Sequence, residues 1–144
     1  MTLLSIRDLS IALPLGADRL YAAKDINFDL APGEILCIVG ESGSGKSMSA
    51  NAVMGLLPQG VEPDKGSITF DGQSILGLSE KEMLKLRGSR ISMIFQEPLS
   101  ALNPLMRVGA QIAEVFEAHG ALNGSERRAR ALKLLGEVGI PDPQ

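Results

Sequence analysis

The sequence has no tryptophan, one tyrosine, four phenylalanines and one histidine among its 144 residues. Proteins that bind single-stranded nucleic acids stack the bases on aromatic side chains, so this scarcity argues against that class. The formal net charge of −3 argues against it too, because nucleic-acid binding needs a basic surface. The composition instead favours an aliphatic α/β interior, and the chain is long enough for one ordinary hydrophobic core.

Cys37 is the single cysteine, which excludes a framework of disulfides. Because it lies in an apolar run, we expect a buried, inert thiol in a reducing compartment rather than a reactive one. The N-terminal residues lack the apolar core of a signal peptide. The uncharged segment 47–61 contains Asn51, Gly55 and Pro58 and is unsuited to span a bilayer. We therefore expect a soluble, cytosolic protein that is able to dock onto a membrane protein.

The most informative stretch of the chain is 35–47. Five apolar residues precede glycines at 40, 43 and 45, and Lys46 and Ser47 open a segment compatible with a helix. This spacing fits G-x-x-x-x-G-K-[ST], the phosphate-binding loop of nucleoside-triphosphate enzymes. An unbroken apolar run is typical of a buried parallel strand, so we expect 35–39 to form such a strand and to deliver the loop to one edge of a sheet.

Each residue type in this loop has a physical role. Glycines let the main-chain N–H groups curl around phosphate oxygens, and the following helix adds its positive N-terminal end. Lys46 is predicted to contact the β- and γ-phosphates, and Ser47 to ligate Mg²⁺. The predicted nucleotide contacts are Gly40, Ser42, Gly43, Ser44, Gly45, Lys46, Ser47 and Ser49. A glycine-rich turn that happens to precede a lysine is the alternative, and the strand–loop–helix order argues against it.

The hydrophobic periodicity predicts the remaining secondary structure. Strands are expected at 4–13, 21–30, 66–70 and 91–95. Helices are expected at 46–57, where Ala50, Val53, Met54 and Leu57 would face the sheet, from a capping box at Ser79 and Glu82 to about 87, and from 108 to about 119. A last helix is expected between Asn123 and Gly139, with one apolar stripe formed by Ala129, Leu132, Leu135 and Val138.

Gln96 follows the predicted strand 91–95. A glutamine at the carboxyl end of a strand can hold a metal-bound or attacking water, although such a residue is more often a solvated strand end. The run Phe-Gln-Glu-Pro-Leu-Ser-Ala-Leu-Asn-Pro at 95–104, downstream of the phosphate loop, closely resembles the ATP-binding subunits of ABC transporters. It is most similar to the peptide/nickel importer group of that superfamily, as is the segment 53–58.

The resemblance implies an α/β fold of the P-loop NTPase type: a RecA-like core, an antiparallel β subdomain and the beginning of a helical subdomain, together an incomplete domain. The β subdomain would comprise 1–34 and 59–78, and the P-loop core 35–58 and 79–97. The Q-loop and the start of the helical subdomain would comprise 98–144. Gln96 would be the Q-loop glutamine, a catalytic residue and a Mg²⁺ ligand. Plain core helices without a coupling role are equally compatible with the periodicity after residue 108.

The resemblance also implies a function, namely an ATPase with ATP and Mg²⁺ as cofactors that drives the import of peptides or similar small solutes. The implied partners are transmembrane permease subunits, a second nucleotide-binding domain in a homo- or heterodimer, and indirectly a solute-binding protein, with no nucleic acid. The implied location is the cytoplasmic face of the inner (plasma) membrane, as a peripheral protein. An ABC-type ATPase of DNA repair or translation is the alternative. A GTPase is a third option, although the guanine-reading Asn-Lys-x-Asp element does not occur in this sequence.

Two features depart from the family pattern. The family places an adenine-stacking aromatic near the end of the first strand, whereas this sequence has Leu13 there. Tyr21, the nearest aromatic residue, either substitutes for it or is a half-buried strand residue. The Leu-Ser-Gly-Gly-Gln signature, an apolar strand ending in Asp-Glu, the D-loop and the switch histidine do not occur. The sequence thus looks like the N-terminal part of a longer subunit, which we expect to bind nucleotide but to hydrolyse it poorly.

Overall fold

The computed structural model describes residues 2–97, 102–120 and 122–141. The chain divides into two compact units, the first ending at Arg87 and the second beginning at Gly88. Residues 98–101 of the predicted Q-loop run lie outside the described residues.

The first unit is built on a four-stranded antiparallel sheet with the strand order β2-β1-β3-β4. Its elements in chain order are β1 (Leu4–Ala12), β2 (Tyr21–Leu30), α1 (Lys46–Met54), β3 (Glu62–Phe70), β4 (Gln73–Ser74) and α2 (Glu80–Leu86). The predicted strands 4–13 and 21–30 are therefore confirmed. The third strand begins four residues earlier than the predicted 66, and β4 was not predicted.

The core of this unit lies on one face of β1 and β3. Ile6, Leu9 and Ile11 of β1 and Ile68 of β3 are fully buried. Leu9 follows Ile6 by three residues instead of two because a bulge interrupts the register with β2 between them. Asp8 in this bulge has a φ of 49°. The bulge explains why the apolar alternation of this strand is irregular in the sequence.

Helix α1 ends earlier than the periodicity predicts. Gly55 adopts the left-handed conformation with a φ of 62°, and its N–H bonds to the carbonyl of Ala52, so the helix stops at Met54 instead of 57. Ala50 is exposed, in contrast to the prediction, whereas Val53 and Met54 are buried as expected. The predicted stop at Pro58 was wrong because the glycine comes first.

The capping box of α2 is present. The main-chain N–H of Ser79 donates to the Glu82 carboxylate at 2.8 Å, and the Ser79 hydroxyl donates to it at 2.6 Å. These hydrogen bonds lower the pKa of Glu82, the one from the Ser79 hydroxyl most strongly. Arg87, just after the helix, donates to the carbonyls of Met54 and Gly55 and pairs with Glu80, which joins α2 to the end of α1.

The second unit contains α3 (Val108–Ala118) and α4 (Gly124–Glu137), close to the two predicted helices. Asn123 caps α4, since its side chain accepts from the Glu126 N–H at 3.0 Å and its own N–H donates to the Glu126 carboxylate at 2.9 Å. An ion pair at 2.7 Å between Arg127 and Glu117 links the helices. The predicted stripe of α4 was partly wrong, because Ala129 and Val138 are exposed and Ala131 is buried instead.

Two apolar segments that were predicted as strands, 35–39 and 91–95, are not strands. Residues 34–41 have no regular secondary structure, and Ile35 and Val39 are 91% and 90% exposed. Cys37 is exposed, so the expected burial of its thiol was wrong. Residues 92–95 also lack regular structure, and Ile94 is 91% exposed. A parallel strand needs hydrogen-bonded neighbours, and none of the described strands pairs with either segment.

Replacing Ile68 by Ala should lower the free energy of unfolding by roughly 2–5 kcal/mol, because it leaves a cavity in the core. The matched control is Ile35→Ala, which removes the same atoms from a solvent-exposed position and should change stability by less than about 0.5 kcal/mol. Urea denaturation followed by circular dichroism measures both. Equal losses in the two variants would contradict the exposure of the segment 35–39.

Candidate functional site

The phosphate loop folds back around the side chain of Lys46. The Lys46 ammonium donates to the main-chain carbonyls of Gly40 and Glu41, both at 2.7 Å, and lies 3.2 Å from the Ser44 hydroxyl oxygen. The Ser44 N–H donates to the Glu41 carbonyl at 3.2 Å, which closes a turn within the loop. The loop therefore holds a positive charge at its centre.

The glycines of the motif are required by space as well as by backbone angle. A Cβ on Gly40 would lie 2.7 Å from the Ser44 hydroxyl oxygen and 3.9 Å from the Lys46 ammonium, so a side chain there would fill the hollow of the loop. Gly45 has a φ of 92°, and a Cβ on it would lie 2.6 Å from the Ala22 carbonyl oxygen. The end of the loop thus packs directly on the beginning of β2.

The serines of the motif differ in their surroundings. Ser42, Ser44 and Ser47 are exposed, and Ser47 lies in the first turn of α1. Ser49 is only 4% exposed, and its hydroxyl donates to the Gly45 carbonyl at 3.0 Å. Ser49 therefore fastens the first turn of the helix to the loop, and a direct contact between Ser49 and a nucleotide stays a prediction.

Tyr21 lies at the beginning of β2 and is half-buried. Its hydroxyl donates to the Asp64 carboxylate of β3 at 2.9 Å, and the Lys24 ammonium lies 5.6 Å from the centroid of its ring. The hydrogen bond to Asp64 is the main cause that raises the pKa of Tyr21. The hydroxyl and one face of the ring are thus engaged within the sheet, and adenine stacking by Tyr21 stays a prediction.

Gln96 belongs to the second unit, where it is exposed in a segment without regular secondary structure. Beyond the undescribed residues 98–101, the side chain of Gln111 holds the continuing loop. Its oxygen accepts from the Asn103 N–H at 3.0 Å, and its amide donates to the carbonyls of Asn103 and Met106 at 2.9 and 3.0 Å. The sequence analysis missed Gln111, which only its place in the amphipathic helix α3 could have indicated.

Arg19 is a second residue that the sequence analysis missed. Its guanidinium donates to the carbonyl of Gly43 at 2.9 Å, in the middle of the phosphate loop. Arg19 lies 24 residues before Gly43 in the sequence. No known motif spacing connects an arginine at this distance with a phosphate-binding loop.

Among the described residues, no helix has the length and apolar character needed to cross a membrane.

An open groove of about 860 Å³ lies between α3 and α4, and its lining includes the small residues Gly109, Ala113 and Ala131. No residue of the phosphate loop lines this groove.

The chain matches known proteins over almost its whole length. A family model described as "ABC transporter" matches residues 23–144. The peptidoglycan transport ATP-binding protein YejF of Agrobacterium fabrum is 48% identical over 143 residues, 99% of this chain and 26% of the relative. The oligopeptide transport ATP-binding protein OppD of Bacillus subtilis is 46% identical over 145 residues, 99% of this chain and 40% of the relative. The chain thus spans less than half the length of these curated relatives.

The solved structures that match this chain are also ABC cassettes. The ATP-binding cassette MJ0796, a dimer in a post-hydrolysis state bound to ADP and Pi, matches with a TM-score of 0.78 and 30% identity, over 92% of this chain and 56% of that one. The cbiO1 protein of Clostridium perfringens, part of the ABC transporter complex cbiONQ, matches with a TM-score of 0.69 and 30% identity, over 97% of this chain and 51% of that one. The fold class and the resemblance inferred from the motifs are confirmed.

Gly45→Ala should destabilise the first unit by roughly 1–3 kcal/mol more than Gly16→Ala does. Both glycines have a φ near 90°, so both substitutions carry the same backbone strain, but only at Gly45 would the new methyl group meet the main chain of β2. Nothing lies within 4 Å of a Cβ on Gly16. Urea unfolding compares the two variants, and equal destabilisation would argue against the packing of the loop on β2.

Asp64→Ala should lower the pKa of Tyr21 towards the ordinary value of about 10, because it removes the carboxylate that accepts the hydrogen bond from the phenolic hydroxyl. The near-ultraviolet absorbance of tyrosinate reads this residue alone, since the chain has one tyrosine and no tryptophan. Asp18→Ala removes the same charge elsewhere on the unit and should leave the titration unchanged. Identical titrations in the parent chain and in Asp64→Ala would refute the hydrogen bond.

Proposed function

Because this chain belongs to the ABC transporter family, we propose that its phosphate loop binds ATP with Mg²⁺ and serves a subunit that powers the import of peptides or similar small solutes. The observation that carries the proposal is the position of the Lys46 ammonium, which lies 2.7 Å from the carbonyl oxygens of Gly40 and Glu41 inside a hollow that a Cβ on Gly40 would fill. The names of the relatives support the transport role, since they are oligopeptide and peptidoglycan transport ATP-binding proteins.

The residues present fit a triphosphate. Carbonyl oxygens hold the Lys46 ammonium only as neutral dipoles, so a polyphosphate is the stronger partner for it. Lys46 would then bind the β- and γ-phosphates, with the main chain of 40–45 around them and the positive end of α1 behind. Ser42, Ser44 and Ser49 complete the predicted contacts, and Ser47 and Gln96 would hold the metal ion. Bound ATP with its Mg²⁺ supplies the phosphoryl group to be transferred.

The proposed subdomain boundaries are those that the family pattern implies. We assign 1–34 and 59–78 to a β subdomain, 35–58 and 79–97 to the P-loop core, and 98–144 to the Q-loop and the beginning of a helical subdomain. The signature sequence and the acidic strand that follow in the family pattern do not occur in this chain. These 144 residues should therefore bind nucleotide without appreciable hydrolysis, because they lack the general base that would act on the attacking water.

The proposed partners are permease subunits in the membrane, a second nucleotide-binding domain and, indirectly, a solute-binding protein, with this subunit on the cytoplasmic face of the inner (plasma) membrane. The dimeric state of the solved cassette MJ0796 supports the second nucleotide-binding domain. The two relatives YejF and OppD are named as transport ATP-binding proteins, which favours this function over an ABC-type ATPase of DNA repair or translation. Co-purification with membrane subunits separates the two.

The 144-residue chain should bind Mg·ATP, and Lys46→Ala should weaken binding by roughly ten- to a hundredfold, which corresponds to the loss of a charge-assisted hydrogen bond. Isothermal titration calorimetry measures the affinity, and a phosphate-release assay on the same samples should show no turnover above buffer.

Lys81→Ala is the matched control, because it removes an exposed lysine from α2 and should leave ATP affinity unchanged. If Lys46→Ala bound ATP as tightly as the parent chain, the proposed site would be contradicted. Steady turnover by the chain that is lost in Lys46→Ala would overturn the claim that it binds without hydrolysing, and preferential binding of GTP over ATP would favour the GTPase option.

A further inference from the structure

Arg19 reaches the phosphate loop from a different element of the first unit. The connection between β1 and β2 is held closed by hydrogen bonds from the Leu13 N–H to the Leu20 carbonyl at 2.9 Å and from the Ala17 N–H to the Pro14 carbonyl at 3.1 Å. Arg19 lies at the end of this connection, two residues before the start of β2. Since β2 packs on Gly45, the connection that carries Arg19 is fixed beside the loop.

The guanidinium of Arg19 lies against the middle of the loop. One of its terminal nitrogens, Nη1, donates to the Gly43 carbonyl at 2.9 Å, and both terminal nitrogens lie within 3.8 Å of the position of a Cβ on Gly43. Gly43 is adjacent in sequence to Ser44, whose hydroxyl oxygen lies 3.2 Å from the Lys46 ammonium. Two cationic side chains thus meet neighbouring residues of one short loop.

Arg19 has no carboxylate partner among the described residues, although other arginines of the first unit do. Arg7 pairs with Asp29, and Arg87 pairs with Glu80. A guanidinium has five N–H donors, and the bond to Gly43 uses one of them. An arginine held beside a phosphate-binding loop without an acidic partner has the charge and the free donors to take an oxyanion.

We propose that Arg19 is a second cationic contact for the polyphosphate of the nucleotide, supplied by the connection between β1 and β2. This inference rests on the proposed function, because it needs a nucleotide in the loop. The ligand it recognises is the chain of phosphates and not the base, since Gly43 lies within the loop that surrounds the phosphates. The contact adds to that of Lys46 and lies outside the motif by which the loop is recognised.

The test compares Arg19→Gln with the parent chain for ATP and for inorganic tripolyphosphate, both with Mg²⁺, by calorimetry. This substitution removes the positive charge and keeps a polar side chain. Arg19→Gln should lower the affinity for both ligands by roughly tenfold, which is the loss expected for a charge-assisted hydrogen bond. AMP, which lacks the β- and γ-phosphates, should be affected much less.

Lys81→Gln is the matched control, since it removes one positive charge from the same unit away from the loop and should leave both affinities unchanged. Circular dichroism and urea unfolding check that the variants are folded, and Arg19→Lys should recover part of the affinity because it restores the charge. Unchanged binding in folded Arg19→Gln would overturn the inference and leave only a bond that braces the loop. A loss for ATP without a loss for tripolyphosphate would overturn it too, because it would place Arg19 on the base.

The two proposals fail in different ways. If the parent chain does not bind ATP, or if Lys46→Ala binds it equally well, the proposed function itself fails. If the parent chain and Lys46→Ala behave as expected and Arg19→Gln binds like the parent chain, only the role of Arg19 fails.

Discussion

The close approach of Gly45 to the main chain of β2 is the constraint on which the rest of the first unit depends. A Cβ at position 45 would lie 2.6 Å from the carbonyl oxygen of Ala22, so the loop can lie against the strand only because this residue is glycine. Through this contact the phosphate loop is anchored to the antiparallel sheet, whose core of Ile6, Leu9 and Ile68 is fully buried. The hydroxyl of Ser49 strengthens the same junction from the side of α1 by its bond to the Gly45 carbonyl.

The phosphate loop is packed against regular structure only on its C-terminal side, where it contacts α1 and β2. On its N-terminal side, the segment 34–41 has no regular secondary structure, and Ile35 and Val39 are exposed. An apolar run of this kind is stable as a parallel strand only between neighbouring strands that bury both of its faces. The described residues supply an antiparallel sheet that ends at β2 and β4, and neither edge pairs with the segment. This chain spans 40% of the OppD relative of Bacillus subtilis and 56% of the solved cassette MJ0796.

The phosphate loop is contacted by two cationic side chains of different origin. Lys46 belongs to the motif and is held by carbonyls of its own loop, while Arg19 comes from the connection between β1 and β2 and is held by Gly43. Motif spacing predicts the first of these because all its partners lie within six residues of it. The second depends on a contact between residues 24 positions apart, which only the pairing of β1 with β2 and the packing of β2 on the loop bring about.

The amino-acid sequence alone determined those features whose causes lie within a few residues. The phosphate loop, the capping box of Ser79 and Glu82, the strand 21–30 and the helices near 108–118 and 124–137 all follow from local spacing and side-chain type. Tertiary structure decided the exposure of 35–39 and of Cys37, the bulge that offsets Leu9, and the burial of Ala131 in place of Ala129. The reason is physical: hydrogen bonds in turns and caps are satisfied locally, whereas the burial of an apolar residue depends on which other element covers it.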